Sequence, residues 1–375
     1  MNKTAIVIGA GIAGLAVTRA LAEKKYAVKV IERSSRAVGA SIRNFGMVWP
    51  IGQPEGELYE MAMHSRSIWK QVSATGAFWS GEAGSLHLAY AQDEWQVLQE
   101  LETLFAGNRQ VRLLSPGETG IRSSAVVQQN LQGALFSPDE LIVDPREAIG
   151  ALPGYLSETY AVEFFWDRCV SYISDNTVYI GSDENLEADI IFVCSGADFE
   201  TLFPEELSRL PLTKCKLQMM RMAPQPNNWR MGPALCGALS LAHYNSFKGA
   251  PSLPKLLGRF NAEMSDYLNQ GIHVMVSQNE RGELTVGDSH EYGQTHDPFD
   301  KSAINELIIK YLNHFAAFPN NVISETWSGI YPKLTNGDPY IFFSPQDGVH
   351  IFNGLGGAGM TLAFAAAEDS VDAVL

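Results

Sequence analysis

Three glycines near the start of the chain, Gly9, Gly11 and Gly14, have the spacing G-x-G-x-x-G. In such a motif the first glycine permits a tight turn, the second lets the backbone approach a pyrophosphate, and the third lets a helix pack closely on a strand. Glu32 follows at the distance where a carboxylate can accept hydrogen bonds from a ribose diol, which disfavours a ligand with a 2′-phosphate. These residues predict a dinucleotide site at the N-terminus of a helix.

The segments around this motif are those of a β-α-β unit. Residues 5–8 are an apolar run typical of a buried strand, residues 12–23 predict a helix, and residues 27–32 predict a second strand that ends at Glu32. A glycine motif alone is weak evidence for a nucleotide site, because glycine turns are common in proteins. Its place between a strand and a helix, with an acid after the second strand, makes the nucleotide interpretation specific.

A second G-x-G-x-x-G, formed by Gly354, Gly356 and Gly359, lies near the end of the chain. Only 16 residues follow Gly359, too few for another β-α-β unit of about 30 residues. We therefore predict a glycine loop that opens the terminal helix, whose N-terminal dipole would favour negative charge on a bound ring system. The alternative is a close helix-packing turn with no ligand.

Composition limits the classes of partner. The chain of 375 residues is 46% hydrophobic and 18% charged, with a formal net charge of −15. Nucleic acids and anionic membranes attract a dominant basic field, so neither is expected as a partner and a small molecule is the default. The apolar run over residues 5–17 is shorter than the roughly 18 residues of a membrane helix, so we expect no integral membrane segment.

The four cysteines, Cys169, Cys194, Cys215 and Cys236, have no C-x-x-C spacing. This disfavours a structural zinc site and a redox pair, so no metal is predicted. Free thiols fit a reducing compartment, and we expect a cytoplasmic protein in which these cysteines are buried.

The rest of the chain has α/β segments at its start, middle and end, with β-rich insertions between them. Helices are predicted near residues 54–72, 94–105 and 302–316, and a buried strand within residues 187–199. Alternating patterns over residues 211–293 predict a β-rich region.

Five segments in this order resemble the superfamily of FAD enzymes that contains D-amino-acid oxidase, glycine oxidase and sarcosine oxidase. They are VIGAGIAGL, the pair ER at residues 32–33, GASIRNFGM, IIFVCSGA and GLGGAGMTLAFAAAE. The resemblance implies an α/β fold with a Rossmann-like FAD-binding domain over residues 1–80, 145–213 and 322–375. Residues 81–144 and 214–321 would form a discontinuous substrate domain on a mixed or antiparallel sheet, with the flavin ring at the junction.

The resemblance also implies which residues contact FAD. Gly9, Gly11 and Gly14 would meet the pyrophosphate, and Glu32 the adenosine ribose. The other implied cofactor residues are Arg33, Ser41, Arg43, Asn44, Gly46 and Met47 in the loop under the cofactor, Val170 at adenine, Gly196 in the central motif, and Gly356, Gly357, Gly359, Met360 and Thr361 near the flavin's pyrimidine edge. Sarcosine oxidases tether flavin through a C-terminal cysteine, whereas the last cysteine here is Cys236. Non-covalent FAD is therefore expected.

One departure from the superfamily concerns the substrate. Glycine oxidase and D-amino-acid oxidase carry, where this chain has Tyr331, an arginine that pairs with the substrate α-carboxylate. The segments GASIRNFGMVWPIGQPEG and GIYPKLTNGDP resemble a subgroup often encoded beside phosphonate-degradation genes. We expect Tyr331 and Lys333, in what reads as a turn, to hold an anion other than an α-carboxylate, with Arg43 or His290 as additional donors. The alternative for Lys333 is an ordinary solvated lysine.

The resemblance implies oxidation of a C–N bond by hydride transfer to flavin N5, and a small aminoalkylphosphonate or its N-alkyl derivative is the favoured substrate. The alternatives are a glycine, sarcosine or D-amino-acid oxidase or dehydrogenase, and a non-catalytic flavin-binding subunit. An enzyme that uses NAD(P)H directly is disfavoured, because a second complete β-α-β unit is missing. His290 and Tyr244 are candidate proton acceptors, although a structural role fits each of them. The electron acceptor, oxygen or a respiratory carrier, stays open.

Overall fold

The computed structural model describes residues 3–375. Its helices are α1 (Ile12–Glu23), α2 (Glu57–Ser73), α3 (Gln92–Phe105), α4 (Pro116–Arg122), α5 (Pro145–Tyr160), α6 (Pro204–Ser208), α7 (Leu253–Glu263), α8 (Ser265–Asn269), α9 (Ser302–Phe315) and α10 (Gly359–Asp372). Its strands are β1 (Thr4–Ile8), β2 (Ala27–Ile31), β3 (Met47–Val48), β4 (Ser80–Gly81), β5 (Ser85–Ala89), β6 (Arg112–Leu114), β7 (Gly133–Ser137), β8 (Leu141–Val143), β9 (Glu163–Phe165), β10 (Val170–Ser174), β11 (Thr177–Ile180), β12 (Glu184–Glu187), β13 (Ile190–Val193), β14 (Leu212–Met222), β15 (Ala234–Cys236), β16 (Met275–Gln278), β17 (Leu284–Gly287), β18 (Glu291–Gly293), β19 (Ile323–Leu334), β20 (Ile341–Gln346) and β21 (Val349–Asn353).

The first of the two large sheets is mostly parallel, with the strand order β20-β21-β13-β1-β2-β9. Its central strands β1 and β13 pair in parallel and are apolar and almost wholly buried. Such continuous apolar strands need cover on both faces of the sheet. The helices α1, α5 and α10 belong to the hydrophobic cluster that covers one face, so the two ends of the chain pack together.

The second large sheet has the order β18-β14-β17-β16-β15-β5-β7-β6, and β19 pairs with β14. Its pairs are antiparallel except for β15 with β5. The predicted α/β fold class with a second mixed sheet is therefore confirmed. The division into residue ranges stays a prediction, and β19 departs from it. The strand falls in the range assigned to the FAD-binding domain, yet it pairs along its length with β14 in the second sheet.

The predicted helices are found with small changes at their ends, and the helix over residues 12–23 has those bounds. The prediction for residues 211–293 missed α7 and α8. The helix α7 buries Leu253, Leu256 and Phe260, which follow helical spacing, but the helix is short and its flanking strands dominate the pattern. The expectation of buried cysteines is correct for Cys194, Cys215 and Cys236 and wrong for Cys169, which is exposed because it lies in the turn before β10.

Among the described residues, none of the helices combines the length and the apolar character that a membrane crossing needs.

A buried carboxyl group fixes the segment that follows β3. Glu140 is fully buried, accepts hydrogen bonds from the Ile51 amide (3.1 Å) and the Ser85 hydroxyl (2.8 Å), and has no cation partner within salt-bridge distance among the described residues. Burial raises the pKa of Glu140 to about 7. The protonated form is therefore favoured in the folded protein up to about pH 7.

This environment predicts a pH-dependent stability. Because the folded pKa lies above the unfolded value of 4.5, the contribution is fully present below about pH 4.5 and is lost as the pH rises through about 7. The loss should be on the order of 3 kcal/mol of unfolding free energy, and Glu140→Gln should remove it. Denaturant unfolding of both proteins at intervals from pH 5 to 8 measures the difference. Parallel pH profiles for the two proteins would contradict the assignment.

Candidate functional site

A cavity of about 1110 Å³ receives residues from both large sheets, such as Ile8 and Ile31 from the first and Leu217 and Met219 from the second. Most of the predicted site residues line it. These are Gly9, Gly11, Glu32, Arg33, Ser41, Arg43, Asn44, Met47, Val170, Gly196, His290, Tyr331, Lys333, Gly356, Gly357, Gly359, Met360 and Thr361. Gly14 and Gly46 do not line the cavity, and their role is in packing.

The first glycine motif forms a tight turn between β1 and α1. Gly9 has a φ of +103°, and a Cβ there would lie 2.4 Å from the Cys194 carbonyl oxygen. A Cβ at Gly14 would lie 1.8 Å from the Gly9 carbonyl oxygen. The Ile12 amide, in the first turn of α1, donates to the Ser41 Oγ at 2.9 Å. The helix thus points its N-terminus into the cavity with no acidic residue in its first turn, which suits an anionic ligand.

Glu32 stands at the end of β2 and is held by two backbone amides. Its two oxygens accept from Ala10 N at 2.9 Å and from Ser34 N at 3.0 Å. A carboxylate has about four lone-pair sites, so both oxygens retain capacity for the hydroxyls of a ribose. The position and the donor set fit the predicted role.

The loop that follows Gly39 is shaped by its own side chains. Asn44 Nδ2 donates to the Ser41 carbonyl at 2.9 Å, and the Gly46 amide donates to Asn44 Oδ1 at 2.8 Å. Gly46 has a φ of +71°, and a Cβ there would lie 1.9 Å from the Val143 carbonyl oxygen. Arg43 Nη1 donates to the Ser328 carbonyl at 3.2 Å. Arg43 therefore ties this loop to β19 as well as lining the cavity.

The second glycine motif opens the terminal helix, as predicted. Gly354 and Gly356 have φ values of +76° and +57°, a short 3₁₀ turn follows, and α10 begins at Gly359. No acidic residue lies in the first turn of α10. Thr361 Oγ1 accepts from the Trp49 amide at 2.9 Å, which holds the helix against the loop after β3.

Tyr331 and Lys333 lie on β19, so the prediction that they occupy a turn is wrong. The turn residues Asn336, Gly337 and Asp338 come only after the strand, whose long pairing with β14 extends through both positions. Positions i and i+2 of a strand face the same way. The Tyr331 hydroxyl and the Lys333 Cγ lie 3.7 and 3.9 Å from where side chains would begin at Gly357 and Gly356.

The surroundings of these two side chains differ. Tyr331 is 7% exposed, and burial raises its pKa well above the ordinary tyrosine value. Lys333 is half-buried, and its Nζ donates to the Tyr292 hydroxyl at 3.0 Å and lies 4.9 Å from the centre of that ring. Lys333 is thus positioned by a contact, in contrast to a freely solvated lysine.

A group of residues that the sequence reasoning missed lies beside His290. His243, His273 and His290 place ring nitrogens within 4.8 Å of one another, and Asp288 lies between His273 and His290, with N···O distances of 3.4 and 3.7 Å. All four line the cavity. A histidine inside the otherwise apolar run GIHVMV was the available signal, since a buried apolar strand rarely contains one without a partner.

These features fit FAD. Glu32 and the N-terminus of α1 would hold the ribose and pyrophosphate, and the loop Gly356–Ala358 with the start of α10 would lie at the other end of an extended dinucleotide. Side chains at Gly9 and Gly14 would collide with the backbone that forms this cradle. The residues present therefore match the donors and the space that the cofactor needs.

Comparisons with known proteins agree. Residues 4–373 match the family described as FAD dependent oxidoreductase (DAO). Glycine oxidase from Bacillus cereus has the same fold, with 16% identity and a TM-score of 0.78 over 100% of this chain and 95% of that chain. L-proline dehydrogenase from P. horikoshii matches with 19% identity and a TM-score of 0.76 over 99% and 92%. L-α-glycerophosphate oxidase from Mycoplasma pneumoniae, solved with FAD bound, matches with 16% identity and a TM-score of 0.75 over 100% and 95%.

Curated relatives match over part of their length. A tRNA 5-methylaminomethyl-2-thiouridine biosynthesis bifunctional protein from Nitrosospira multiformis is 24% identical over 248 residues, which is 63% of this chain and 39% of the relative. The corresponding protein from Stutzerimonas stutzeri is 24% identical over 251 residues, 63% of this chain and 35% of the relative. The chain thus spans less than two fifths of the length of these relatives. The family match confirms the predicted FAD cofactor and the prediction of an oxidoreductase enzyme.

Proposed function

Because the chain belongs to the FAD-dependent oxidoreductase family, we propose that it oxidises the C–N bond of a small anionic amine. An aminoalkylphosphonate or its N-alkyl derivative is the favoured substrate. The chain's net charge of −15 disfavours the polyanionic substrate named for the tRNA-modifying relatives.

The observation that carries this proposal is the state of the cations that line the cavity. Arg33, Arg168 and Lys214 pair with Asp198 (2.7 Å), Glu184 (3.1 Å) and Glu200 (2.6 Å). Arg43 and Lys333 have no carboxylate within salt-bridge distance among the described residues; Arg43 donates to the Ser328 carbonyl, and the Lys333 nitrogen contacts a phenol. The charges of these two side chains are therefore left for an anionic ligand.

The chemistry of Lys333 favours a tetrahedral anion. A lysine is a point charge on a flexible stem, whereas an arginine offers a planar fork that matches a carboxylate. A phosphonate presents three oxygens with close to two negative charges near neutral pH, by analogy with phosphate. Donors from Lys333 and Tyr331, which both line the cavity, suit such a group better than a single planar pair. The fold also accommodates a phosphorylated substrate in one neighbour, which is named a glycerophosphate oxidase.

The protein's task in this reaction is positioning. FAD, when bound, supplies the acceptor for the hydride that leaves the carbon of the neutral amine, and the resulting imine hydrolyses. The ammonium proton would first pass to an acceptor such as His290. Tyr331 and Lys333 would fix the anion, and the start of α10 would favour negative charge beside it. The apolar side chains of Phe45, Leu217 and Met219 border the same cavity and would limit the access of water.

A panel of amines tests the proposal. Purified protein is mixed anaerobically with aminoethylphosphonate, its N-methyl form, glycine, sarcosine and a set of D-amino acids, and the bleaching of the flavin absorbance is followed. We expect reduction to be fastest with a phosphonate. Faster reduction by a carboxylate would replace the favoured substrate with the glycine, sarcosine or D-amino-acid alternative, and no reduction by any amine would favour the non-catalytic alternative.

A further prediction is that the FAD is bound without a covalent link. The carbonyl of Cys194 packs against Gly9. Gly9 belongs to the predicted pyrophosphate site, so Cys194 lies far from the predicted position of the flavin ring. Cys215 lies opposite Tyr331, but burial raises the pKa of its thiol to about 11, so the nucleophilic thiolate is scarce. Acid precipitation should leave all the yellow colour in the supernatant. A yellow pellet would contradict this prediction.

A further inference from the structure

Four side chains form a compact polar group at the wall of the cavity, here called the Asp288 cluster: His243, His273, Asp288 and His290. The segment before β16 and the end of β17 bring His273 and Asp288 together, because their backbones exchange hydrogen bonds of 3.2 and 3.3 Å. The rings of His243 and His273 lie 3.8 Å apart between centres. His273 and Asp288 are therefore held in place by backbone hydrogen bonds next to β16 and β17.

Several polar atoms of this cluster have no protein partner. Neither of the two ring nitrogens of His273 makes a hydrogen bond among the described residues, and neither does Oδ1 of Asp288. The Asp288 Oδ1 lies 3.4 Å from His273 Nε2, but this contact lacks hydrogen-bond geometry. The two residues are only 4% and 5% exposed. Leaving a buried polar group without a partner costs about 1–3 kcal/mol. Both residues border the cavity, so a ligand there can supply the missing bonds.

The missing partner is a donor. His290 Nδ1 lies 2.9 Å from the Gly271 carbonyl, which can only accept, so Nδ1 carries the proton and Nε2 carries a lone pair. That Nε2 lies 3.7 Å from Asp288 Oδ2, another acceptor. Two acceptors that face one another in a buried site favour a protonated Asp288 when the cluster is empty, and a cationic donor can take the place of that proton.

Burial sets the charge of these groups. It lowers the pKa of His290 to about 4, lowers that of His273 and raises that of Asp288. His273 and His290 are therefore neutral near pH 7, and the lysine that lowers both pKa values further is Lys333. The other titratable groups around the cluster are phenols and thiols that burial keeps protonated, namely Tyr244, Tyr331, Cys215 and Cys236, and the exposed Tyr292, whose ring stacks on His290.

We propose that the Asp288 cluster binds the amino group of the substrate. An ammonium carries donors in a tetrahedral array, and it would satisfy the free oxygen of Asp288 and the lone pairs of the imidazoles together. This inference rests on the proposed function in one respect, that the substrate is an amine.

The position of the cluster fits a substrate with two charged ends. Lys333 Nζ lies 4.9 Å from the centre of the Tyr292 ring, and that ring lies 6.3 Å from the His290 ring. The anion site at Lys333 and the amine site at Asp288 are therefore separated by little more than one aromatic side chain. A small amine that carries an anion a few bonds away can reach both.

The three histidine nitrogens lie within 4.8 Å of one another, a limit that admits an ammonium and also a metal ion. Acceptors around a tetrahedral ammonium stand about 4.7 Å apart when the hydrogen bonds are about 2.9 Å long. Ligands of a tetrahedral zinc ion with bonds of about 2.1 Å stand about 3.4 Å apart. A bound divalent metal is the competing occupant that the experiment must detect.

The experiment separates the two ends of the substrate. Dissociation constants of the holoenzyme are measured for aminoethylphosphonate, from the concentration dependence of flavin reduction, and for ethylphosphonate, which lacks the amine, from its perturbation of the flavin spectrum. We expect Asp288→Asn to weaken aminoethylphosphonate 10- to 100-fold and to change ethylphosphonate less than threefold. Lys333→Met should weaken both ligands. Equal effects of Asp288→Asn on the two ligands, or no effect on either, would overturn the assignment.

Controls keep the result interpretable. His273→Asn should repeat the selective loss if Asp288→Asn fails to fold, and His350→Gln, which changes a buried histidine that pairs with Ser344 away from the cavity, should leave both constants unchanged. If another amine proves to be the substrate, that amine and its amine-free analogue take the places of the phosphonates, so a wrong substrate class and a wrong amine site give different results. Elemental analysis of the purified protein measures bound metal. If the protein holds stoichiometric metal and His273→Asn loses it, a metal site replaces the amine assignment.

Discussion

Gly14→Ala is expected to give a protein that is isolated without FAD and is destabilised by about 3 kcal/mol or more, at or beyond the usual cost of an overpacked core. The added Cβ would stand 1.8 Å from the Gly9 carbonyl oxygen and 3.4 Å from Val7 Cγ1. The closest contact is with the backbone of Gly9, so no side-chain rotation relieves it. The helix α1 must shift, and its N-terminus moves away from the position in which it would meet the pyrophosphate.

The ratio of absorbance near 450 nm to that at 280 nm measures the bound flavin, and denaturant unfolding measures the stability. Gly150→Ala is the matched control, because Gly150 also lies inside a helix but a Cβ there meets nothing within 4 Å. That change should retain FAD and stabilise the protein by about 0.5–1 kcal/mol, since glycine is unfavourable inside helices. Full flavin occupancy in Gly14→Ala would contradict the predicted cradle.

Lys333→Ala is expected to lower kcat/KM for the preferred anionic amine by about ten- to a hundred-fold. A charge-assisted hydrogen bond to a ligand is worth roughly 1.5–3 kcal/mol, which corresponds to this range. Tyr331→Phe should have a smaller effect, because a neutral hydroxyl donor contributes less. Neither change should lower the flavin content, since both side chains lie on β19 and the cofactor cradle is built by other elements.

Steady-state kinetics with the best amine of the panel measure this prediction. Lys214→Ala is the matched control, because Lys214 also lines the cavity but is neutralised by Glu200 at 2.6 Å, and it should change kcat/KM by less than about threefold. An effect of Lys214→Ala as large as that of Lys333→Ala would mean that the general field of the cavity, and not the Lys333 contact, attracts the anion.

The amino-acid sequence alone determined the parts of this protein that depend on short-range contacts. The turn after β1, the helix α1 and Glu32 are close in the chain. The spacing of the glycines and the periodicity of the apolar residues encode their geometry directly. The loop that opens α10 could be predicted for the same reason, because the glycines at 354 and 356 have positive φ values that few other residues adopt. The α/β class followed from the placing of apolar runs along the chain.

Only the tertiary structure decided where the substrate-facing residues lie. Tyr331 and Lys333 lie in a segment whose local composition is typical of a turn. The pairing of β19 with β14, more than a hundred positions earlier in the sequence, makes them part of a strand. The Asp288 cluster joins His243, His273 and His290 from separate segments, and no local pattern links them. Strand pairing between distant segments is set by the burial of whole sheet faces. The sequence therefore contained the signals for the predicted cofactor cradle, whereas the neighbours of each polar side chain in the cavity were established by long-range packing.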